Sequence, residues 1–312
     1  MTQLQVHLNT ETLPNNTSKV HIIFYAIVTI SLLGQLFTIL TYKSIRNKNN
    51  KFFGYVAWHA VLGFPWLISY YFTVQLASNG GTLCKIAGFI NAYCYSAYML
   101  WTSVIAWAIY SSLKSQTTLY RLKWQYIAGV YGISLLTMSY AIYTKNFGPY
   151  KGVEIMYCWF EDSSFSNVSM ALGFHIPLVV TTLYNLCCYI ASSRIVSKNG
   201  SREARKEFYS LFLFPFISLV CNSGAIVKKV SFIIGNGYTI PWEILHIILG
   251  KGQGLYEALA YGFNKSVQTE IKKVWCAPVS KPKSNLSMTL FDETSIENEI
   301  KDRNQRMAVS ML

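Results

Sequence analysis

Acidic residues are scarce in this 312-residue chain: Asp and Glu total 14, and charged residues of both signs make up only 13%. A soluble domain of this length carries about a quarter of its residues charged, so an ordinary water-soluble enzyme is excluded. No CxxC pair or Cys/His spacing of the zinc type occurs among the seven cysteines, which removes the common metal and redox motifs. Three intramembrane histidines, His59, His175 and His246, lie on separate helical blocks. They are expected to have no acidic companions and to form no metal centre. No cofactor and no enzymatic activity are expected. The first nineteen residues are polar and lack the usual pattern of a cleavable signal, so the first span is expected to direct targeting.

What is present is apolar residue in long blocks. Hydrophobic residues are 52%, aromatics 15%, and mean hydropathy is +0.28. Seven blocks reach the roughly 20 residues needed to cross about 30 Å of hydrocarbon as a helix. They run Val20–Tyr42, Phe52–Val74, Leu83–Leu113, Gln125–Thr144, Val168–Ala191, Phe208–Phe232 and Pro241–Phe263. The fold class expected is an all-α membrane protein, a bundle of seven transmembrane helices. Residues 1–19 form an outer tail, 20–264 the transmembrane domain, 265–276 an amphipathic interfacial helix, and 277–312 a polar, disordered cytoplasmic tail.

The net charge of +13 would suggest nucleic acid in a soluble chain. Its placement gives another explanation. The first, third and fifth connections and the tail hold four, three, five and eight basic residues, 20 of the 27. The intervening segments hold Lys19, Lys85, Lys145 and Lys151. By the positive-inside rule the N-terminus is outside and the tail cytoplasmic. The basic excess then meets anionic lipid and acidic partners, and no nucleic-acid partner is expected.

Sequons at Asn15, Asn16 and Asn167 fall on the outer side and are candidate glycosylation sites. Asn264 and Asn285 also match while facing the cytoplasm, so the triplet alone does not discriminate. Cys84 and Cys158 share the oxidising side and are expected to form a bridge, with two free thiols as the alternative. Cys94, Cys187, Cys188 and Cys221 fall within helices and read as small apolar packers.

The seventh block is the richest in candidate chemistry. Lys251 lies nine residues beyond Trp242, about 13 Å down a helix, in the outer half. With Lys228 or Lys229, at the outer interface of the sixth helix, it would form a cationic patch for a phosphate or carboxylate. The plainer reading of Lys228 and Lys229 is snorkelling to headgroups, and of Lys251 lining a polar cavity. Asn91 and Tyr95, also in the outer part, are further candidate ligand contacts. Glu257 is the one acid deep in a helix. Six residues from Lys251, it faces elsewhere, so it is expected to be protonated or bonded to Gln253 or Asn91, in a structural or switch role. Gly250, Gly252 and Gly254 permit close helix approach or a bend. Pro65, Pro177 and Pro215 are expected to kink their helices, and Pro215 would let the cytoplasmic end of the sixth swing.

On the cytoplasmic side, Arg194, Lys198, Arg202, Arg205 and Lys206 form a basic extension toward the sixth helix. Val267, Ile271, Val274 and Trp275 recur at helical spacing, the mark of a helix lying on the membrane. Cys276 after it is a candidate palmitoylation site.

Several strings carry a family resemblance. The third block has no D/E-R-Y triplet, the second no aspartate and the seventh no N-P-x-x-Y, so the rhodopsin-like branch is disfavoured. The stretches CKIAGFINAYCYSAYMLWTSVIAWAIY (Cys84–Tyr110), YCWF around Cys158, GFHIPLVVTTLYN (Gly173–Asn185) and EALAYGFNKSV (Glu257–Val267), with LFPF around Pro215, together resemble the cyclic-AMP-receptor-like family of G-protein-coupled receptors. That family is related to the secretin-like branch. The resemblance spans roughly Tyr42 to Trp275. It implies a plasma-membrane receptor that turns an extracellular small-molecule signal, anionic and cyclic-nucleotide-like, into nucleotide exchange on a heterotrimeric G protein. It also implies switch and packing roles for Glu257, Pro215, Tyr261 and Asn264, and a G-protein contact for the five basic residues above. Alternatives are a receptor-like seven-helix protein that does not couple, and a retinal-binding or transport protein. The retinal reading lacks a carboxylate on the third helix, and the transport reading lacks repeat symmetry.

Overall fold

The computed structural model describes residues 14–44, 51–78, 80–115, 124–151, 155–161, 168–199, 212–225, 227, 240–264, 267–269 and 271–272. Helices dominate: α1 (Pro14–Ser44), α2 (Lys51–Ala77), α3 (Gly81–Ser115), α4 (Trp124–Tyr143), α5 (168–199), α6 (Phe212–Ala225) and α7 (240–262). A short antiparallel hairpin, β1 (Phe147–Lys151) and β2 (Met156–Phe160), lies between α4 and α5, with Phe147 opposite Phe160 and Pro149 opposite Cys158. Among the described residues, four helical stretches are long and apolar enough to cross a membrane: Lys19–Ser44, Gly54–Ala77, Trp124–Tyr143 and Val168–Lys198. Phe212–Ala225 is a shorter apolar helix. The chain is a helical membrane protein.

The helices differ in composition because they differ in what surrounds them. α1, α4 and α5 present exposed Leu, Ile, Val and Phe side chains, including Leu33, Leu136 and Val180, a surface suited to lipid tails. α3 packs against α2, α4, α5 and the hairpin. Surrounded by protein, it carries buried Asn91, Ser96 and Thr102 as well as Trp101 and Ile105; Ser69 of α2 reaches Asn91 Oδ1 and Asn185 of α5 reaches Thr102 Oγ1. Trp101 Nε1 donates to the Tyr55 carbonyl at 2.8 Å, and Thr102 Oγ1 to the Met99 carbonyl at 2.7 Å.

α7 lies along α1 at unusually close range. A Cβ placed on Gly254 would fall 2.8 Å from the Ser31 carbonyl oxygen and 3.0 Å from Gln35 Cγ. One on Gly34 would fall 2.8 Å from the Gly254 carbonyl oxygen. Small residues on both helices therefore set the spacing, as in membrane helix pairs generally. Of the expected glycine cluster, Gly254 is the one pressed against a neighbouring backbone. α5 and α7 each contain one π turn, Ala171–His175 and Ile247–Lys251. The π turn in α7 ends at Lys251, just before Gly252, and re-phases the remainder of the helix relative to residues 240–246.

A Cys84–Cys158 disulfide joins the first turn of α3 to β2. Both cysteines are fully buried, and β2 rests on α3 at Gly88, where a Cβ would lie 3.1 Å from the Trp159 nitrogen. Of the four cysteines expected in helices, Cys188 and Cys221 are buried, Cys94 is half-buried and Cys187 is exposed.

Three features differ from the sequence reading. α1 begins at Pro14 and takes in the last residues of the expected outer tail. The connection after α4 contains a hairpin, because Tyr150, Tyr157, Trp159 and Phe160 stack among themselves and onto Phe89 and Phe174 of α3 and α5. Val267, expected on an interfacial helix, is completely buried in the main apolar cluster, and Ile271 packs against that cluster. Residues 267–269 and 271–272 are helical, and Gln268 donates its amide to the Asn264 carbonyl at 2.9 Å. The rest of the 265–276 segment and the tail lie outside the described residues.

A buried polar core along the seventh helix

Residues of α2 on one helical face, His59, Trp66 and Tyr70, meet α7 across a gap filled by α3 side chains. Tyr98 of α3 lies flat on the His59 ring, with centroids 4.1 Å apart and planes at 9°. Its other neighbour is Trp66, 5.1 Å away and at 23°. Gly63 makes room: a Cβ there would lie 2.7 Å from Tyr98 Cε2. The result is a column of stacked rings running beside α7 between Lys251 and Glu257.

Lys251 is at one end. Only 7% exposed, its Nζ lies 3.5 Å from the Tyr70 ring centre, 5.0 Å from Trp66 and 6.0 Å from Tyr95. Ring faces carry the negative part of the aromatic quadrupole, so a cation is held by them when water is withdrawn. The backbone there is tied to α1, since Ser31 Oγ donates to the Lys251 carbonyl at 2.6 Å.

Glu257, 4% exposed, is at the other end, and four side chains from four helices converge on its carboxylate. His59 Nε2 is 2.9 Å from Oε1, and Gln253 Nε2 donates to the same oxygen at 2.8 Å. Tyr98 OH donates to Oε2 at 2.6 Å, and Gln35 Nε2 approaches it at 3.3 Å. An ionised carboxylate offers about four lone-pair sites, and these four groups use them all. Gln253 was anticipated as a partner and Asn91 was not confirmed as one: Asn91 meets Ser69 Oγ at 3.4 Å. The expectation that His59 has no acidic companion is overturned. Its partner stands 198 residues away in sequence on another helix, beyond any local pattern.

Tyr95 joins this column to the other side of the bundle. Its ring packs against Trp66 at 5.0 Å and against Phe174, in the π turn of α5, at 5.4 Å. Its hydroxyl donates to Asn222 Oδ1 on α6, whose amide nitrogen donates to Ser218 Oγ at 3.2 Å. Tyr95 therefore touches elements from α2, α5, α6 and α7 at once.

Of the candidate ligand residues, Lys251 and Tyr95 are brought together; Asn91 is buried on the α3 face toward α2, beside Ser69. Lys228 and Lys229 lie outside the described residues. Tyr261 is buried in the main apolar cluster, Asn264 follows the end of α7, and Pro215 sits in α6 beside a cleft between α3, α5 and α6. Arg194 and Lys198 are exposed on the last turns of α5. Arg202, Arg205, Lys206, Asn167 and Cys276 lie outside the described residues, and Asn15 and Asn16 fall in the first turn of α1. No group of three or more His, Cys, Asp or Glu side chains suited to a metal ion occurs among the described residues.

The sequence reading missed Gln35, Trp66, Tyr70, Tyr98 and Asn222 as parts of this core. Gln35 and Asn222 did carry a signal, being amides inside apolar blocks. The aromatics carried none, because one tyrosine among 22 is not distinguishable by composition.

No family model matches the chain. Over 264 residues it is 24% identical to the protein named G-protein coupled receptor 1 of Arabidopsis thaliana, covering 78% of this chain and 77% of that protein. Over 226 residues it is 21% identical to the protein named Latrophilin receptor-like protein A of Dictyostelium discoideum, covering 65% and 69%. By these relationships the chain is a distant relative of one protein named as a G-protein coupled receptor and of one named as receptor-like.

Proposed function

We propose that this protein is a plasma-membrane, seven-helix receptor of the cyclic-AMP-receptor-like kind. In this reading the N-terminus is outside and the protein relays an extracellular small molecule to a heterotrimeric G protein. The observation that carries this reading is the position of Tyr95. It stands between Lys251 of α7 and Asn222 of α6, with Phe174 of α5 on its ring. An anionic ligand drawing the Lys251 ammonium off the ring faces would remove the charge that Tyr95, Trp66 and Tyr70 are packed around. Those rings would re-pack, and Tyr95 would pull on or release Asn222. α6 carries Pro215 seven residues before Asn222, and a proline helix lacks one backbone bond where it bends. A ligand that binds one arrangement of Tyr95 better than the other shifts the population of α6 positions. Glu257, held from four helices, serves as the fixed point against which α6 moves.

Under the same reading, Lys228 and Lys229 add positive charge at the outer mouth. Arg194 and Lys198, with Arg202, Arg205 and Lys206, meet the acidic surface of the G protein and the inner leaflet. Asn15, Asn16 and Asn167 carry glycans on the outer side. Cys276 carries a palmitoyl chain that enters the inner leaflet.

Agonist-dependent nucleotide exchange on reconstituted heterotrimeric G proteins tests the reading. The purified receptor in nanodiscs is screened with cyclic nucleotides and other small phosphates and carboxylates. Exchange by the native protein and its loss in a Lys251→Gln variant that still folds and melts cooperatively is the expected result. Folded protein that promotes no exchange with any of these ligands overturns it.

A further inference from the structure

The cleft between α3, α5 and α6 is separate from the Lys251 column and has chemistry of its own. Its enclosed part is about 20 Å³, room for one water-sized group, and it opens into a wider mouth. Leu186 of α5 and Phe216 of α6 line it and are among the exposed large apolar side chains, so its entrance belongs to the lipid-facing surface. The deeper wall is polar and buried: Thr181, Asn185, Ser218 and Asn222.

Asn185 is 8% exposed, and its amide has one half committed and one half open. The orientation is dictated by Thr102. That hydroxyl has a single proton, which goes to the Met99 carbonyl at 2.7 Å. Thr102 Oγ1 can then only accept, and it accepts from Asn185 Nδ2 at 2.8 Å. The Asn185 carbonyl oxygen is left facing away from Thr102, buried and without a hydrogen-bond partner. A buried acceptor with no donor is costly, and more so where no water reaches it. The neighbouring Asn222 offers nothing to it, because its oxygen takes the Tyr95 hydroxyl and its nitrogen the Ser218 oxygen.

We propose that this cleft binds a single-chain, hydroxyl-bearing amphiphile drawn from the bilayer. Its hydroxyl donates to Asn185 Oδ1, and its chain leaves between Leu186 and Phe216. The enclosed part has room for a hydroxyl head and not for a chain, so the chain lies in the open mouth among the lipid tails. The unmet group is an acceptor, which selects a donor and rejects an ether or ester of the same length. Entry from lipid follows from the apolar mouth. The site does not depend on the receptor reading, since binding alone is claimed.

The test is photo-crosslinking in nanodiscs with a diazirine-bearing hexadecanol, mapped by mass spectrometry. Competition is with plain hexadecanol and with hexadecyl methyl ether. Labelling is expected within 181–189 and 212–222, with the alcohol competing about tenfold better than the ether, the worth of one hydrogen bond. Asn185→Leu should abolish that preference. Leu186→Trp, which blocks the mouth from an exposed position and leaves the polar wall intact, should abolish labelling. Equal competition by ether and alcohol, labelling elsewhere, or a preference that survives in Asn185→Leu overturns the proposal. If Asn185→Leu does not fold, Leu186→Trp and the alcohol–ether comparison in native protein decide it.

Discussion

Lys251 and Glu257 sit six residues apart on one helix, both more than nine-tenths buried, and are held by opposite means. Glu257 takes directional hydrogen bonds from α1, α2, α3 and its own helix. Lys251 rests on the faces of Tyr70, Trp66 and Tyr95. Hydrogen bonds have short range and steep angular dependence, so the carboxylate end is held in one geometry. A cation over rings meets a broad, shallow attraction, so these ring contacts fix the ammonium less strictly than hydrogen bonds fix the carboxylate. The same helix thus has an anchored end and a less strictly held end. Only the second is suited to a ligand.

The largest break in that contrast is expected from Glu257→Leu. It orphans donors on four helices and should cost about 3–5 kcal/mol, as when one partner of a buried charged pair is removed. The fluorescence-detected melting midpoint in nanodiscs reports it, and a midpoint within a degree of the native value would end the anchoring account. Gly254→Val comes next. It drives a branched side chain into Ser31 and Gln35 and should cost about 1–3 kcal/mol by overpacking. Because Ser31 holds the Lys251 backbone and Gln35 reaches Glu257, this one change should loosen both ends, visible as faster amide exchange along α1 and α7.

Lys251→Met is expected to cost about 1–2 kcal/mol, the scale of a desolvated cation–π contact, while removing any response to anionic ligand. A loss as large as that of Glu257→Leu would erase the distinction between the two ends. Tyr98→Phe should be mildest in packing, since the stack on His59 and Trp66 remains. It gives up one hydrogen bond to a charged group, about 1.5 kcal/mol. A double-mutant cycle with Glu257→Gln should then show coupling of about 1 kcal/mol, and zero coupling would mean that the 2.6 Å contact contributes nothing.

Much of this was legible from the chain alone, and for one-dimensional reasons. Long apolar blocks, few charges and basic residues in alternate connections are properties of short windows, and they predict helices such as α2 and α4 within a few residues. The Cys84–Cys158 pair was legible because both cysteines fall on the outer, oxidising side of the expected topology. Lys251 and Glu257 stood out because charge within an apolar run is rare. Tyr98, Trp66 and Tyr70 did not, since aromatics are ordinary in membrane helices. The hairpin was missed because its two strands are five residues each and are held by ring packing on α3 and α5.

The amino-acid sequence by itself determined that this is a helical membrane protein with Lys251 and Glu257 well inside its last long apolar segment. Hydropathy acts on each segment independently, so it can be read segment by segment. Which groups meet those charges was decided only in three dimensions. Gly254 lets α1 close on α7 and Gly63 admits Tyr98 against His59. Those approaches bring Gln35 and His59 to Glu257 across 222 and 198 residues. No rule of spacing along the chain reaches that far, because the contacts are set by how close backbones of different helices can come.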